Sequence, residues 1–247
     1  MWSEIFASLS AATLAVLWAG AFLGGIASGA AGFAFGIAAS AIWLHAIAPI
    51  HTAFLVVAGG LTIQCGTIWT FRRSLDARRL WPSVLAGVLG VPIGVWLLVR
   101  TDVGTLKVAL GCFLAVYGVY ALFAPRLPYV VAGSGADAAI GFVGGILGGL
   151  GGYSGVLPAI WTQLRGWPKD EARAFYQPFI VVVHIATLAV LGTVALDRRG
   201  LVLLVLAMPA LALGTWVGWN LYGRLDEKRF RQALAIMLLL SGAILIL

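Results

Sequence analysis

Charge is what this sequence has least of. Asp, Glu, Lys and Arg make up 10% of its 247 residues, against about 25% in an ordinary soluble domain. None of the four occurs from Ile5 to Phe71 or from Pro82 to Val99. Apolar runs of this length are membrane spans, and no polar stretch is long enough to fold as a soluble domain. The basic excess, a net charge of +7, sits in short loops between apolar runs. There it orients the chain and meets anionic lipid, so it is no nucleic-acid footprint.

Cysteine is nearly absent too. Cys65 and Cys112 each fall within an apolar run, which excludes a disulfide framework and reads as two small buried apolar side chains. There is no CxxC, no HExxH and no cluster of metal-ligand residues, so no metal or other cofactor is expected. No nucleophile–base pair is visible, which argues against an enzyme. The first ten residues, MWSEIFASLS, hold an acidic residue and no basic one, unlike a cleaved signal peptide.

Glycine, by contrast, is dense and repeated. FLGGIASGAAG at 22–32 and FVGGILGGLGG at 142–152 agree at six of eleven positions, among them Gly24/Gly144, Gly25/Gly145, Gly29/Gly149 and Gly32/Gly152. Further on, Pro49 and Ala53 match Pro168 and Ala172, and Gly90, Gly94, Arg100 and Asp102 match Gly214, Gly218, Arg224 and Asp226. Eight apolar segments can be read, at about 11–48, 50–71, 81–99, 108–123, 136–164, 172–196, 201–222 and 230–247. The expected organisation is a first membrane repeat (1–125), a linker (126–135) and a second membrane repeat (136–247). A duplicated membrane unit with a Gly-dense element in each copy points to a transporter with its substrate site at the repeat interface.

Loop charge bears on topology. If every segment crosses once, Arg72, Arg73, Arg78, Arg79, Arg126, Arg198 and Arg199 face one side and the other nine of the 16 basic residues face the opposite side. That division gives no orientation. If each Gly-rich segment instead returns to the side it entered, Arg100, Lys107, Arg198 and Arg199 alone face one side, and twelve face the other. This is a positive-inside signal. It makes the two repeats inverted and places both termini outside the cytoplasm. Two full helices per Gly-rich segment would give the same parity. The fold class expected is therefore an all-α polytopic membrane protein, with two inverted repeats of four hydrophobic segments, the first of each broken or re-entrant.

The paired GGxxxG elements, the eight apolar segments and the stretch RAFYQPFI at 173–180 together resemble the sulfite exporter TauE/SafE family of membrane permeases. The resemblance covers nearly the whole chain. It implies export of a small sulfur-containing anion, sulfite or an organosulfonate, across a bacterial inner membrane. A permease for another small anion or metabolite, and a membrane scaffold that transports nothing, are the alternatives. Small anionic substrate and membrane lipid are the expected partners, and a homo-oligomer is left open.

Candidate substrate-binding residues follow from the glycines. Seven glycines between Gly144 and Gly155 exceed what a packing face needs, since each costs ~1 kcal/mol of helix propensity. A broken helix there would offer backbone N–H groups and a helix N-terminus to an oxyanion. Gly148, Gly149, Gly151 and Gly152, with the hydroxyls of Tyr153 and Ser154, form the second-repeat set. Ser28, Gly29 and Gly32 are their first-repeat counterparts. The pairs Gly25/Gly29, Gly90/Gly94 and Gly214/Gly218 have the spacing of helix-packing contacts. Gln64 and Gln177 are neutral groups that either bind an anion or bond another helix. His184, midway along the sixth segment, reads as the only intramembrane ionisable group. It either binds substrate, carries a proton, or is a neutral histidine bonded to a neighbouring helix. Arg173, on the Gln177 face, is either an anion gate or a side chain snorkelling to headgroups. His45 and His51 read as interfacial.

Overall fold

A computed structural model describes residues 10–70, 76–123, 129–195, 197–224 and 227–246. Arg72, Arg73, Arg126 and the first three residues of the expected linker fall outside these. The described residues form helices and short connections, with no strand. In the first half lie α1 (Ala11–Ala31), α2 (Phe35–Trp43), α3 (Pro49–Thr67), α4 (Ala77–Arg100) and α5 (Val103–Phe123). In the second half lie α6 (Ser134–Gly151), α7 (Val156–Leu164), α8 (Lys169–Ala195), α9 (Arg198–Tyr222) and α10 (Glu227–Ile246). Six of the described helices are long and apolar enough to cross a membrane: α1, α3, α4, α6, α8 and α9. The chain is an all-helical integral membrane protein.

Each Gly-rich segment is a long helix followed by a helix of nine residues. The short helix ends beside the early turns of the long one. Trp43 Nε1 donates to the Leu17 carbonyl at 3.0 Å. In the second half Trp161 Nε1 donates to Asp137 Oδ1 at 2.7 Å, and Val130 N–H donates to the Leu164 carbonyl at 3.0 Å.

The halves are packed by exchange. The first-half helix α1 lies on second-half α9, and second-half α6 lies on first-half α4. Glycine makes both contacts. A β-carbon on Gly25 would stand 2.8 Å from the Leu211 carbonyl oxygen, and one on Gly149 would stand 2.8 Å from the Val95 nitrogen. Without a strong hydrophobic drive between helices in lipid, close backbone approach of this kind is what holds them. The outer pair α5 and α10 repeats the device at Gly111 and Gly242.

The surface treats lipid as solvent. Trp81, Leu89, Val116, Val205 and Trp216 are exposed large apolar residues. Cys65 and Cys112 are exposed as well, which corrects the expectation that they are buried. In a membrane span an apolar neighbourhood in sequence includes the lipid face, so a thiol needs no protein around it.

Helix ends outside the spans are capped by carboxylates. Asp197 accepts from Gly200 N–H at 2.7 Å and pairs with His51 Nε2 at 2.9 Å. Partial burial works to raise its pKa. The Gly200 N–H and then His51 outweigh that and hold the carboxyl below its usual value. A lowered folded-state pKa means the stabilisation is present above the unfolded carboxylate value and is lost as pH falls through the folded one. Asp197→Ala is expected to cost ~1 kcal/mol, read as a lower melting temperature in detergent that converges on wild type in strong acid.

Candidate functional site

Both long helices stop at a glycine in the left-handed region. Gly32 has φ 85° and Gly152 has φ 78°, a conformation that costs other residues roughly 1–2 kcal/mol. Gly32 N–H closes on the Ser28 carbonyl at 2.6 Å. Gly152 N–H closes on Gly148 at 2.7 Å, the bond of an αL stop, and Tyr153 N–H reaches back to Leu147 at 3.1 Å. The helix interruption is therefore shorter than the glycine run implied. Gly144 through Gly151 remain helical in α6, and residues 152–155 alone separate it from α7. The remaining glycines are used for contact. Gly145 and Gly149 face α4, Gly144 and Gly148 face Phe179, Val183 and Ser154, and Gly151 lies under the Tyr153 ring. Gly29 likewise turns its Cα toward α9.

The carbonyl of each stop glycine is held by a side chain from the next long helix of its own repeat, α3 or α8. Gln64 Nε2 donates to the Gly32 oxygen at 2.5 Å, and His184 Nε2 approaches the Gly152 oxygen at 3.2 Å. A carbonyl only accepts, so Nε2 is the protonated nitrogen of His184. Gly152 lies 120 positions after Gly32, and His184 lies 120 positions after Gln64. The two side chains are repeat equivalents performing one task. Gly60 on α3 makes room for the imidazole, since a β-carbon there would stand 2.8 Å from His184 Cε1.

The end of α1 has additional partners that α6 lacks. Arg173 Nη2 donates to the Gly29 carbonyl at 3.0 Å and also to that of Ala30. Tyr176 Oη donates to the Ala31 carbonyl at 2.6 Å. The guanidinium lies 3.7 Å from the Tyr222 ring centroid. Arg173 is 0% exposed, so it does not snorkel. A cation at a helix C-terminus is favoured by the dipole and by unpaired carbonyls, and here it bridges the first half to α8. Asp137 is buried as well, held by Trp161 and, at 3.4 Å, by Arg165. His184 is thus one of several buried ionisable groups, not the only one.

The two interruptions touch. A β-carbon on Gly36 would stand 3.0 Å from the Gly152 carbonyl oxygen, and one on Gly155 would stand 2.6 Å from Phe33 Cβ. The short helices α2 and α7 both start here, and neither start has a side-chain cap. Near them, the buried Ser28 Oγ, Ser154 Oγ and Gln177 Oε1 make no hydrogen bond to the described protein. Buried polar atoms are normally paired, so these mark polar ground inside an apolar protein. Gln177 Nε2 lies 3.1 Å from where a Gly32 β-carbon would be, and Tyr153 is buried with Ser40 beside its hydroxyl. Of the residues expected from sequence, Ser28, Gly32, Gln64, Gly152, Tyr153, Ser154, Gln177 and His184 surround the two interruptions. Gly29, Gly148, Gly149 and Gly151 pack helices.

Ser40, Phe33 and Tyr176 belong to this region and were not singled out from sequence. Phe33 follows Gly32 as Tyr153 follows Gly152, but it lacks the hydroxyl that drew attention to Tyr153, and the position equivalent to Ser40 is the apolar Ile160. Tyr176 sits inside RAFYQPFI, where its neighbours Arg173 and Gln177 drew attention first.

The family description Sulfite exporter TauE/SafE matches residues 17–245. The chain belongs to the sulfite exporter TauE/SafE family. No curated protein and no solved structure matches it.

Proposed function

We propose that this TauE/SafE member exports a small sulfur-containing anion, sulfite or an organosulfonate, by alternating access, and that it is not an enzyme. The observation that carries the reading is the pair of adjoining helix interruptions. Two uncapped helix N-termini meet near the buried Ser28 and Ser154 hydroxyls, which have no protein partner and can donate to an anion, and helix starts favour oxyanions. Ser28, Ser154 and Gln177 supply neutral polar contacts, and Gly32 and Gly152 supply the turn. Gln64 and His184 hold that turn in place.

The folded-back ends of the two Gly-rich segments support re-entrant hairpins and, with them, an inverted pair of repeats. The exchange of α1 onto α9 and α6 onto α4 supports a pseudo-two-fold relation between the halves. On this topology the Lys- and Arg-rich side is cytoplasmic, the termini lie outside, and the membrane is a bacterial inner membrane. An inside-negative potential drives an anion outward at ~2.3 kcal/mol per charge per 100 mV.

Proteoliposomes loaded with sulfite or taurine test this. Protein-dependent efflux of at least one of them should rise when an inside-negative potential is imposed. Efflux equal to that of protein-free vesicles for both anions would overturn the assignment.

A further inference from the structure

A cavity of about 160 Å³ lies at the end of α7 and the start of α8. Thr162, Gln163 and Lys169 are its polar lining residues, and Phe33 and Tyr176 line it as well. We propose that this cavity is the cytoplasmic vestibule of the anion path, and that the Phe33–Tyr176 ring pair is the gate between it and the paired interruptions. The proposal rests on the transport reading above and adds the route and the door.

The gate follows from what lies on each side of the two rings. They meet edge to face, with centroids 5.6 Å apart and planes at 75°. Outward of them is the cavity. Inward is the Gly32 turn: a β-carbon on Gly32 would stand 3.0 Å from Tyr176 Cε2 and 3.1 Å from Gln177 Nε2. One layer of aromatic side chain thus separates the cavity from Gly32 and Gln177. Phe33 lies in the non-helical link between α1 and α2, so no ring of helical hydrogen bonds fixes its backbone. Tyr176 is fixed by its bond to the Ala31 carbonyl, which makes Phe33 the leaf that swings. Lys169 lines the cavity with its ammonium 4.7 Å from the Tyr222 ring centroid, so this side of the cavity carries positive charge that favours an approaching anion. The α7–α8 connection that bears it belongs to the Lys- and Arg-rich side of the loop-charge topology.

The test uses a background in which Cys65 and Cys112 are replaced by alanine and an impermeant maleimide is applied to inside-out vesicles. Gln163→Cys reports the vestibule, and Ser28→Cys, a near-isosteric change, reports the region behind the gate. Gln163→Cys should react and Ser28→Cys should not. Adding Phe33→Ala should raise Ser28→Cys labelling at least tenfold, and Tyr176→Phe, which keeps the ring but loses its anchor, should raise it less. If Phe33→Ala fails to yield monodisperse protein, Phe33→Leu takes its place, with the same direction expected. Labelling of Gln163→Cys only from the opposite side would overturn the vestibule. Ser28→Cys labelling that is unchanged in every gate variant, or already fast in wild type, would overturn the gate. None of these readouts uses sulfite, so failure of the transport assay would leave them standing, and their failure would leave sulfite export standing.

Discussion

Replacing His184 with glutamine is expected to leave transport near wild type, with an unchanged pH profile. Replacing it with leucine is expected to lower transport at least about tenfold, because a buried carbonyl left unpaired costs ~1–3 kcal/mol. The basis is the equivalence of His184 and Gln64. Each donates one N–H to the carbonyl of a left-handed glycine 32 residues earlier. The first repeat performs this task with a side chain that cannot titrate. The second repeat then needs a donor, not a proton carrier. The reciprocal Gln64→His should be tolerated better than Gln64→Leu. Flux in proteoliposomes between pH 6 and 8 checks the whole set. A flattened pH profile in His184→Gln, with activity otherwise retained, would show that His184 carries a coupling proton after all.

The second large effect concerns packing. Gly145→Ala is expected to destabilise the protein by about 1–3 kcal/mol, the usual cost of overpacking. The methyl group would meet the backbone of Gly87, whose carbonyl carbon would be 2.6 Å away. Backbone cannot swing aside as a side chain can, so α4 and α6 would have to separate along their length. Gly66→Ala is the control. Nothing lies within 4 Å of a β-carbon there, and the gain in helix propensity is worth up to ~1 kcal/mol. Melting in detergent should fall for the first variant and hold or rise for the second. Equal effects would mean that α4 and α6 are not in backbone contact.

These two cases show where the sequence was legible. The duplicated GGxxxG elements located both interruptions, and small-xxx-small spacing marked Gly25, Gly90 and Gly214 as contact positions. It did not say which helix each would meet. Spacing along one chain contains no partner, and the partner turned out to lie in the opposite half. The run from Gly144 to Gly155 was over-read for a related reason. Glycine lowers helix propensity whether it breaks a helix or lets another helix approach, and in α6 glycines are used for approach on three sides before Gly152 ends it. Arg173 was left between gate and headgroup contact because an arginine near the start of a membrane helix ordinarily reaches for headgroups. Here the carbonyls at the end of α1, folded back from 144 residues earlier, lie nearer. The His184–Gln64 equivalence was not available from sequence, because the Pro49/Pro168 and Ala53/Ala172 matches have an offset of 119 and pair Gln64 with Val183. It was also hidden because the two residue types differ, and their common chemistry, one N–H donor, shows only when the acceptor is known.

The most direct test of the anion site at the paired interruptions is a sulfite titration of purified protein, wild type against Ser28→Ala/Ser154→Ala. These changes remove two buried hydroxyls and leave the stop glycines and their locks intact. Saturable binding to wild type, weakened at least about tenfold in the double variant by the loss of two hydrogen bonds, is the expected result. Equal affinity in two equally stable proteins would contradict it and move the substrate site elsewhere.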